Sequence, residues 1–471
     1  MLHPVFAVLA LALTASSPRG SFDDHFTGRT LRFDYDHVGN ATEEHVAPSG
    51  FRLEGPWPGS RTRLVDDTNL GKYLFQVIDP RDNRVLYSRG FASIYGEWET
   101  TGEARRQWRS LQESQRFPEP KHDVQLVLKK RRGDGTFGEL FTTLLDPTSR
   151  FVDRSALRGD AHVTVAFENG PPATKVDFLV VGEGYTSEQG PKFVADAARL
   201  SEVLFATEPF ARRKDDFNLR FLHVPSAEEG ISNPRAGVWR NPPLGLSFNA
   251  FDSDRYVLTY ANRALREAAA QAPYDALILL FNNRKYGGGG IFNLWATCAA
   301  DTEPAPYVFV HELGHSFAGL ADEYYTSQVS YEEFHPADAE PWEPNVTALL
   351  DPAKLKWKDL VAEDTPLPTP WDQAAYDEAS YAYQEKRQRL RAEGAGEGVM
   401  EELFREVKAI TQPMLEGQAF FGQVGAFEGA SYQAKGLYRA EVDCIMFTRN
   451  PTHFCRVCTG AIERVIDLYA H

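Results

Sequence analysis

The sequence is short of basic charge: 50 Lys and Arg stand against 66 Asp and Glu, for a formal net charge of −16. A protein that grips a nucleic-acid backbone needs a basic footprint, so that class of partner is argued against. Long apolar runs are missing. The one near the start, Val5 to Leu13, is too short to span a bilayer, and no later stretch is long and apolar enough. An integral membrane segment in the mature chain is therefore not expected. No cysteine follows the small residues after that run, so nothing suggests a lipid anchor. No internal repeat is apparent, which argues against a solenoid. Cysteines are few, at four, and Cys455-Arg456-Val457-Cys458 has no second CxxC of matching spacing. Half of a zinc knuckle or a redox pair is thus only weakly indicated. An even number of cysteines in an exported chain points instead to disulfides.

Apolar material is plentiful. Hydrophobic residues make up 42% of the 471 and aromatics 12%. That is enough for a packed core and too much chain for one ordinary domain. Residues 1–20 read as a secretory leader, with an apolar run followed by small residues from Thr14 to Ser17. Its first segment carries His3 but no Lys or Arg. An exported protein, periplasmic or secreted, is expected.

Residues 21–152 are β-rich. "GKYLFQVID", "RVLYSRGFASIYGEWE" and "DVQLVLKKRR" mix β-branched and aromatic residues between turn signals such as "DPRDN" and "RRGDG". A small all-β sandwich without a catalytic cluster is expected there. From about residue 173 to 471 strands alternate with helices, which marks an α/β (α+β) catalytic domain. "VDFLVV", "FNLRFLHVP" and "YDALILLFNN" read as strands. "PKFVADAARLSEVLFA" and Arg255 to Ala272 read as helices. Gly287 to Gly290 fits either a mobile loop or a strand edge that another backbone approaches. Residues of about 331–417 are proline-rich and then charged and helical, and read as a surface insertion.

The chemistry concentrates in "HELGHSFAGLADEY", His311 to Tyr324. Asp301 and Thr302 can cap a helix, Pro304 and Pro306 fit its first turn, and Gly319 is a plausible stop. On that helix His311 and His315 lie one turn apart and can face one metal. Glu312 can reach a water there and act as general base. A catalytic zinc holds three protein ligands, keeps one position open, and lowers the pKa of its water toward ~7. Asp322 and Glu323, past the glycine, can each supply the third ligand. Asp322 is preferred, with Glu323 as a partner orienting a histidine. The bland alternative is an ordinary helix that happens to carry two histidines.

The stretch resembles the igalysin family of zinc peptidases, named for a bacterial enzyme that cleaves immunoglobulin A, within the metzincin-like group. "LVVGEGYTSEQ", "NNRKYGGGGIFNLWATCAAD" and "FEGASYQAKGLYRAEVDCIM" are similar to the same family, from about Thr174 to the end. The β-rich front resembles the amino-terminal domain of many members. The metzincin pattern HExxHxxGxxH/D is followed with an offset: Gly319 is four residues past His315 rather than three, and Asp322 seven rather than six. The resemblance implies one zinc per chain, a protein or peptide substrate, and a turn carrying Met446 beneath the metal. It implies that a strand edge in "YGGGGIFN", at Gly288 and Gly289, pairs with substrate. It also makes Tyr438, or Tyr432, a candidate donor to the oxyanion. Cys298, just upstream of the helix, is expected to pair with Cys444, Cys455 or Cys458. The expected activity is hydrolysis of internal peptide bonds. The rivals are a zinc amidase acting on cell-wall peptides or glycoproteins, and a binding protein with a structural zinc.

Overall fold

The computed structural model describes residues 21–157, 159, 161–327, 338–450 and 453–470. The expected leader at 1–20 and the expected start of the insertion lie outside the described residues. No described helix is long and apolar enough to cross a membrane.

The front of the chain forms a short helix α1 (Phe22–His25) and eight strands: β1 (Phe26–Gly39), β2 (Glu44–Pro56), β3 (Tyr73–Asp79), β4 (Arg84–Phe91), β5 (Arg109–Pro120), β6 (Val124–Arg131), β7 (Phe137–Leu145) and β8 (Val152–Asp153). They make two four-stranded sheets, ordered β5-β1-β2-β8 and β4-β3-β6-β7. Alternation dictates the packing. In β3, Tyr73, Phe75 and Val77 are buried while Leu74, Gln76 and Ile78 are half-buried. Phe33, Leu53, Phe75, Phe117 and Leu126, drawn from both sheets, share one apolar core. A different part of this domain faces the other way. The loop and short helix α2 (Ile94–Trp98) place Leu70, Ala92, Ile94, Tyr95 and Trp98 in the main core of the following domain.

That domain is built on a six-stranded sheet. Its strands are β9 (His162–Glu168), β10 (Val176–Glu183), β11 (Phe217–His223), β14 (Ala276–Phe281), β15 (Gly288–Ile291) and β16 (Trp295–Ala299). The order is β15-β16-β14-β10-β11-β9, with β16, β14, β10 and β11 parallel and the two edge strands antiparallel. Every residue of β10 is buried, as expected for a central parallel strand covered on both faces. The helices around the sheet include α3 (Gly190–Leu204), α4 (Asn262–Ala269) and α5 (Ala305–Ala318). The helix expected from Arg255 is shorter than its pattern suggested. Leu258 and Thr259 form a small strand β13 that pairs with β12 (Leu246–Ser247), and the helix begins only after that ladder ends.

The remainder contributes β17 (Val346–Thr347), α6 (Gln373–Ala392), α7 (Glu397–Glu416), β18 (Phe427–Ala430), β19 (Gln433–Arg439) and α8 (Arg456–Tyr469). The break at "EGAGEG" separates α6 from α7, with Gly394 at φ 74°, where L-residues are strained. β17, β19 and β18 form a three-stranded sheet, from which Val346, Ala430 and Leu437 share a small apolar cluster with Ala321, just past α5.

Candidate metal centre

Helix α5 is hydrophobic nearly all round, and Val308, Phe309, Val310, Leu313 and Phe317 are all buried. Such a helix belongs inside a core. Pro306 sits in the first turn as expected, and Gly319 ends the helix at φ 64° with its N–H on the His315 carbonyl, 3.0 Å. The expected side-chain cap is absent. Pro304 occupies the cap position, the Thr302 carbonyl accepts from Ala305 N at 3.1 Å, and Asp301 pairs with Lys192 at 2.9 Å.

One face of α5 presents His311 and His315, with their Nε2 atoms 3.1 Å apart. The chain doubles back after Gly319 and brings Asp322 Oδ1 to 3.0 Å from His311 Nε2 and 3.2 Å from His315 Nε2. The three donor atoms lie within 4.8 Å of one another and can hold a metal ion. The other ring nitrogens fix the rings. His311 Nδ1 donates to the Ile445 carbonyl at 3.1 Å, and His315 Nδ1 to the Leu320 carbonyl at 2.6 Å. With both Nδ1 atoms held by backbone carbonyls, both Nε2 atoms are left for the Asp322 carboxylate or for a cation that takes the place of their protons. Charge follows the same logic. Burial works against ionisation of Asp322, yet His315 and His311 hold its carboxyl well below the usual range. Burial also opposes charging His315, but Asp322 outweighs it and pushes the imidazole up to about 9.

Glu312, beside His311, lines a cavity of about 450 Å³ over this cluster. Burial raises its pKa, and the two histidines only partly offset that. A buried carboxylate that holds a proton more readily than usual suits a group that takes one up and gives it back. Met446 is fully buried under α5, and a Cβ added to Gly314 would come within 3.0 Å of its sulfur. The same turn supplies the Ile445 carbonyl to His311 and the Met446 carbonyl to Glu323 N, 2.8 Å.

The glycine run is an ordered edge strand rather than a loop. A Cβ on Gly290 would lie 2.4 Å from the Glu312 carbonyl, and one on Gly289 would lie 2.3 Å from the Tyr256 ring. Glycine is what lets β15 rest directly on α5. Gly288 is not free to pair with a substrate, however. Its N–H donates to the Arg255 carbonyl at 3.2 Å and its carbonyl accepts from Val257 N at 3.3 Å. Gly289 faces Tyr256 and pairs in register with Thr297 of β16. By strand alternation, Gly290 is the next residue whose backbone groups point away from β16.

Three other expectations are corrected. Tyr438 lies on β19 opposite Glu428 and Thr347, away from the cavity. Of the two candidates it is Tyr432 that reaches the cluster, with its hydroxyl on Asp322 Oδ2. The β18–β19 turn carries it there through two bonds to the loop that bears Asp322, Ser431 N to Asp322 O and Tyr432 N to Tyr324 O, both 3.0 Å. Glu323 does not orient a histidine. Its Oε1 accepts from Asn345 Nδ2 at 2.9 Å and lies 3.4 Å from Cys458 Sγ. None of the four cysteines is bridged, and Cys298 Sγ donates to nearby carbonyls, Ala299 O at 3.4 Å and Ala305 O at 3.7 Å.

Several cavity residues escaped the sequence. Tyr307 donates to the Ile445 carbonyl at 3.1 Å and lies equally close to His311 Nδ1. Its i−4 spacing from His311 was the available signal. Arg255 lines the cavity, near enough for its charge to act on Asp322 and Glu312. Lys72, Ser93 and Glu97 come from the front domain, where no local motif announces them.

No curated protein matches the chain. The family model described as IgA Peptidase M64 matches residues 165–466, and the one described as Peptidase M64 N-terminus matches residues 21–142. The chain therefore belongs to the IgA peptidase M64 family, a β-rich M64 N-terminal domain followed by a mixed α/β peptidase domain.

Proposed function

We propose that the protein is an exported, zinc-dependent endopeptidase with a metzincin-like catalytic domain behind a β-sandwich front domain. What supports this is the convergence of His311, His315 and Asp322 beneath a cavity that Glu312 also lines. Two imidazoles and a carboxylate form a donor set suited to zinc and leave a position toward the cavity. Zinc held there would supply a Lewis acid for the scissile carbonyl and make an attacking water more acidic.

The chain's own residues do the rest. Glu312 takes the proton of the attacking water and delivers it to the leaving amine. Ile445 and Leu320 hold the imidazole rings in one tautomer through their carbonyls. Tyr432 steadies Asp322 and stands where its hydroxyl can turn toward a developing oxyanion. Gly290 offers backbone groups for an extended substrate, and Met446 gives the helix its floor. A protein substrate follows from the family, and immunoglobulin A itself need not be that substrate.

The test is an unbiased peptide-library digest with the full chain, repeated after chelation and after zinc is restored. Internal cleavage that disappears with chelator and returns with zinc is expected. Cleavage that persists at full rate without metal would sink the proposal. Amino-terminal sequencing of protein recovered outside the cytoplasm would check export, with a chain begun after residue 15 or later as the expected result.

A further inference from the structure

A second cluster lies on the other side of the loop that bears Asp322. Glu323, Cys444, Cys455 and Cys458 each direct one donor atom to within 4.8 Å of the others, and all four residues are buried. From this geometry we propose that these residues form a second, closed zinc site with a structural role, distinct from the cluster at His311.

Distances favour a metal over a bridge. Cys444 Sγ and Cys458 Sγ are 3.9 Å apart, and Cys458 Sγ is 3.4 Å from Glu323 Oε1. A tetrahedral zinc with Zn–S about 2.3 Å and Zn–O about 2.0 Å sets sulfurs about 3.8 Å apart and sulfur from oxygen about 3.5 Å. A disulfide would need its sulfurs at about 2.0 Å. Sulfur also receives backbone donors here. Cys455 N reaches Cys444 Sγ at 3.2 Å and Cys458 N reaches Cys455 Sγ at 3.4 Å. Cys455 caps α8, so the positive end of that helix faces the sulfurs, as thiolates require. Independently, Glu323 Oε2 is buried with no hydrogen-bond partner. An orphaned carboxylate oxygen among three thiols is costly without a cation. Buried Arg439 lies close enough to act on Glu323 and offsets part of the negative charge that such a site would carry.

The position of the cluster explains a structural role. Glu323 follows Asp322, Cys444 precedes Met446 by two residues, and Cys455 and Cys458 open α8. One ion would tie together the loop that carries Asp322, the turn beneath α5 and the last helix. On binding, each thiol releases its proton to solvent. Four protein donors leave no open position, so no reaction is expected there.

The test uses the full chain purified without chelator or added thiol. In His311→Ala/His315→Ala, one equivalent of zinc per chain is expected to remain. Replacement by cobalt(II) should then give a thiolate-to-metal charge-transfer absorption. In Cys455→Ser/Cys458→Ser that absorption should vanish. Because the cysteine variant can fail to fold, the histidine variant decides the matter. No metal and no charge-transfer absorption in that variant would overturn the proposal. So would an unfolded, chelated wild-type chain in which alkylation finds two thiols missing because they are bridged. Neither outcome bears on peptide hydrolysis, so this proposal and the peptidase reading fail separately.

Discussion

Asp322 and Glu323 are chain neighbours in clusters of opposite character. Asp322 joins two imidazoles, each anchored by a backbone carbonyl, on the wall of a cavity. Glu323 joins three sulfurs in a buried cluster. Asp322 Oδ1 lies against the imidazoles while Glu323 Oε1 lies against Cys458 Sγ, so one loop serves both. The difference between the clusters is access. Three donors with space beside them suit chemistry, and four donors with none suit support.

The sharpest way to test the comparison is to remove the proposed base and leave the proposed ligands. Glu312→Gln is expected to lower kcat/KM by about 10²- to 10⁴-fold with zinc content unchanged, measured on a cleavable peptide beside metal analysis. Next is the pair of neighbours themselves. Asp322→Asn should cost about 100-fold in activity and release zinc at lower chelator concentration. Glu323→Gln should stay within about tenfold in activity while losing thermal stability. Equal losses of activity in both variants would erase the distinction.

A third carboxylate shows what burial does without such partners. Glu183 accepts Leu244 N at 3.0 Å, and burial pushes its pKa up to about 8. The folded value exceeds the unfolded one, so its contribution to stability is full below about pH 4.5 and is lost as pH rises through 8. Glu183→Gln should therefore gain on wild type by a few kcal/mol, roughly, between pH 5 and pH 9 in denaturant melts. Gly290→Ala, which forces a Cβ against α5, should destabilise by about 1–3 kcal/mol in the same assay. The smallest effect is expected for tyrosine. Tyr432→Phe should cost less than about tenfold in kcat, and Tyr438→Phe should cost nothing measurable.

Much of this was legible in local pattern. The spacing of His311 and His315, the stop at Gly319 and the burial of "VDFLVV" follow from helix and strand periodicity. What stayed hidden depends on distant pairing. The glycine run becomes an edge strand only because β16 pairs with it and α5 packs beneath it. Tyr432 wins over Tyr438 because the tip of the β18–β19 turn, rather than the body of the strand, meets the loop that bears Asp322. CxxC seemed half a site because its other donors, Cys444 and Glu323, come from separate segments. The expected bridge to Cys298 had only sequence proximity to α5 behind it. The front domain seemed free of functional residues because its cavity residues, Lys72, Ser93 and Glu97, are of ordinary types in an ordinary pattern.

The most direct test is a crystal structure of the full chain with diffraction recorded at the zinc absorption edge. The expected result is an anomalous peak bounded by His311, His315 and Asp322, with the remaining position facing the cavity and Glu312 beside it. A fourth side chain completing that shell, or no peak between the two histidines in active protein, would contradict a catalytic zinc at this site.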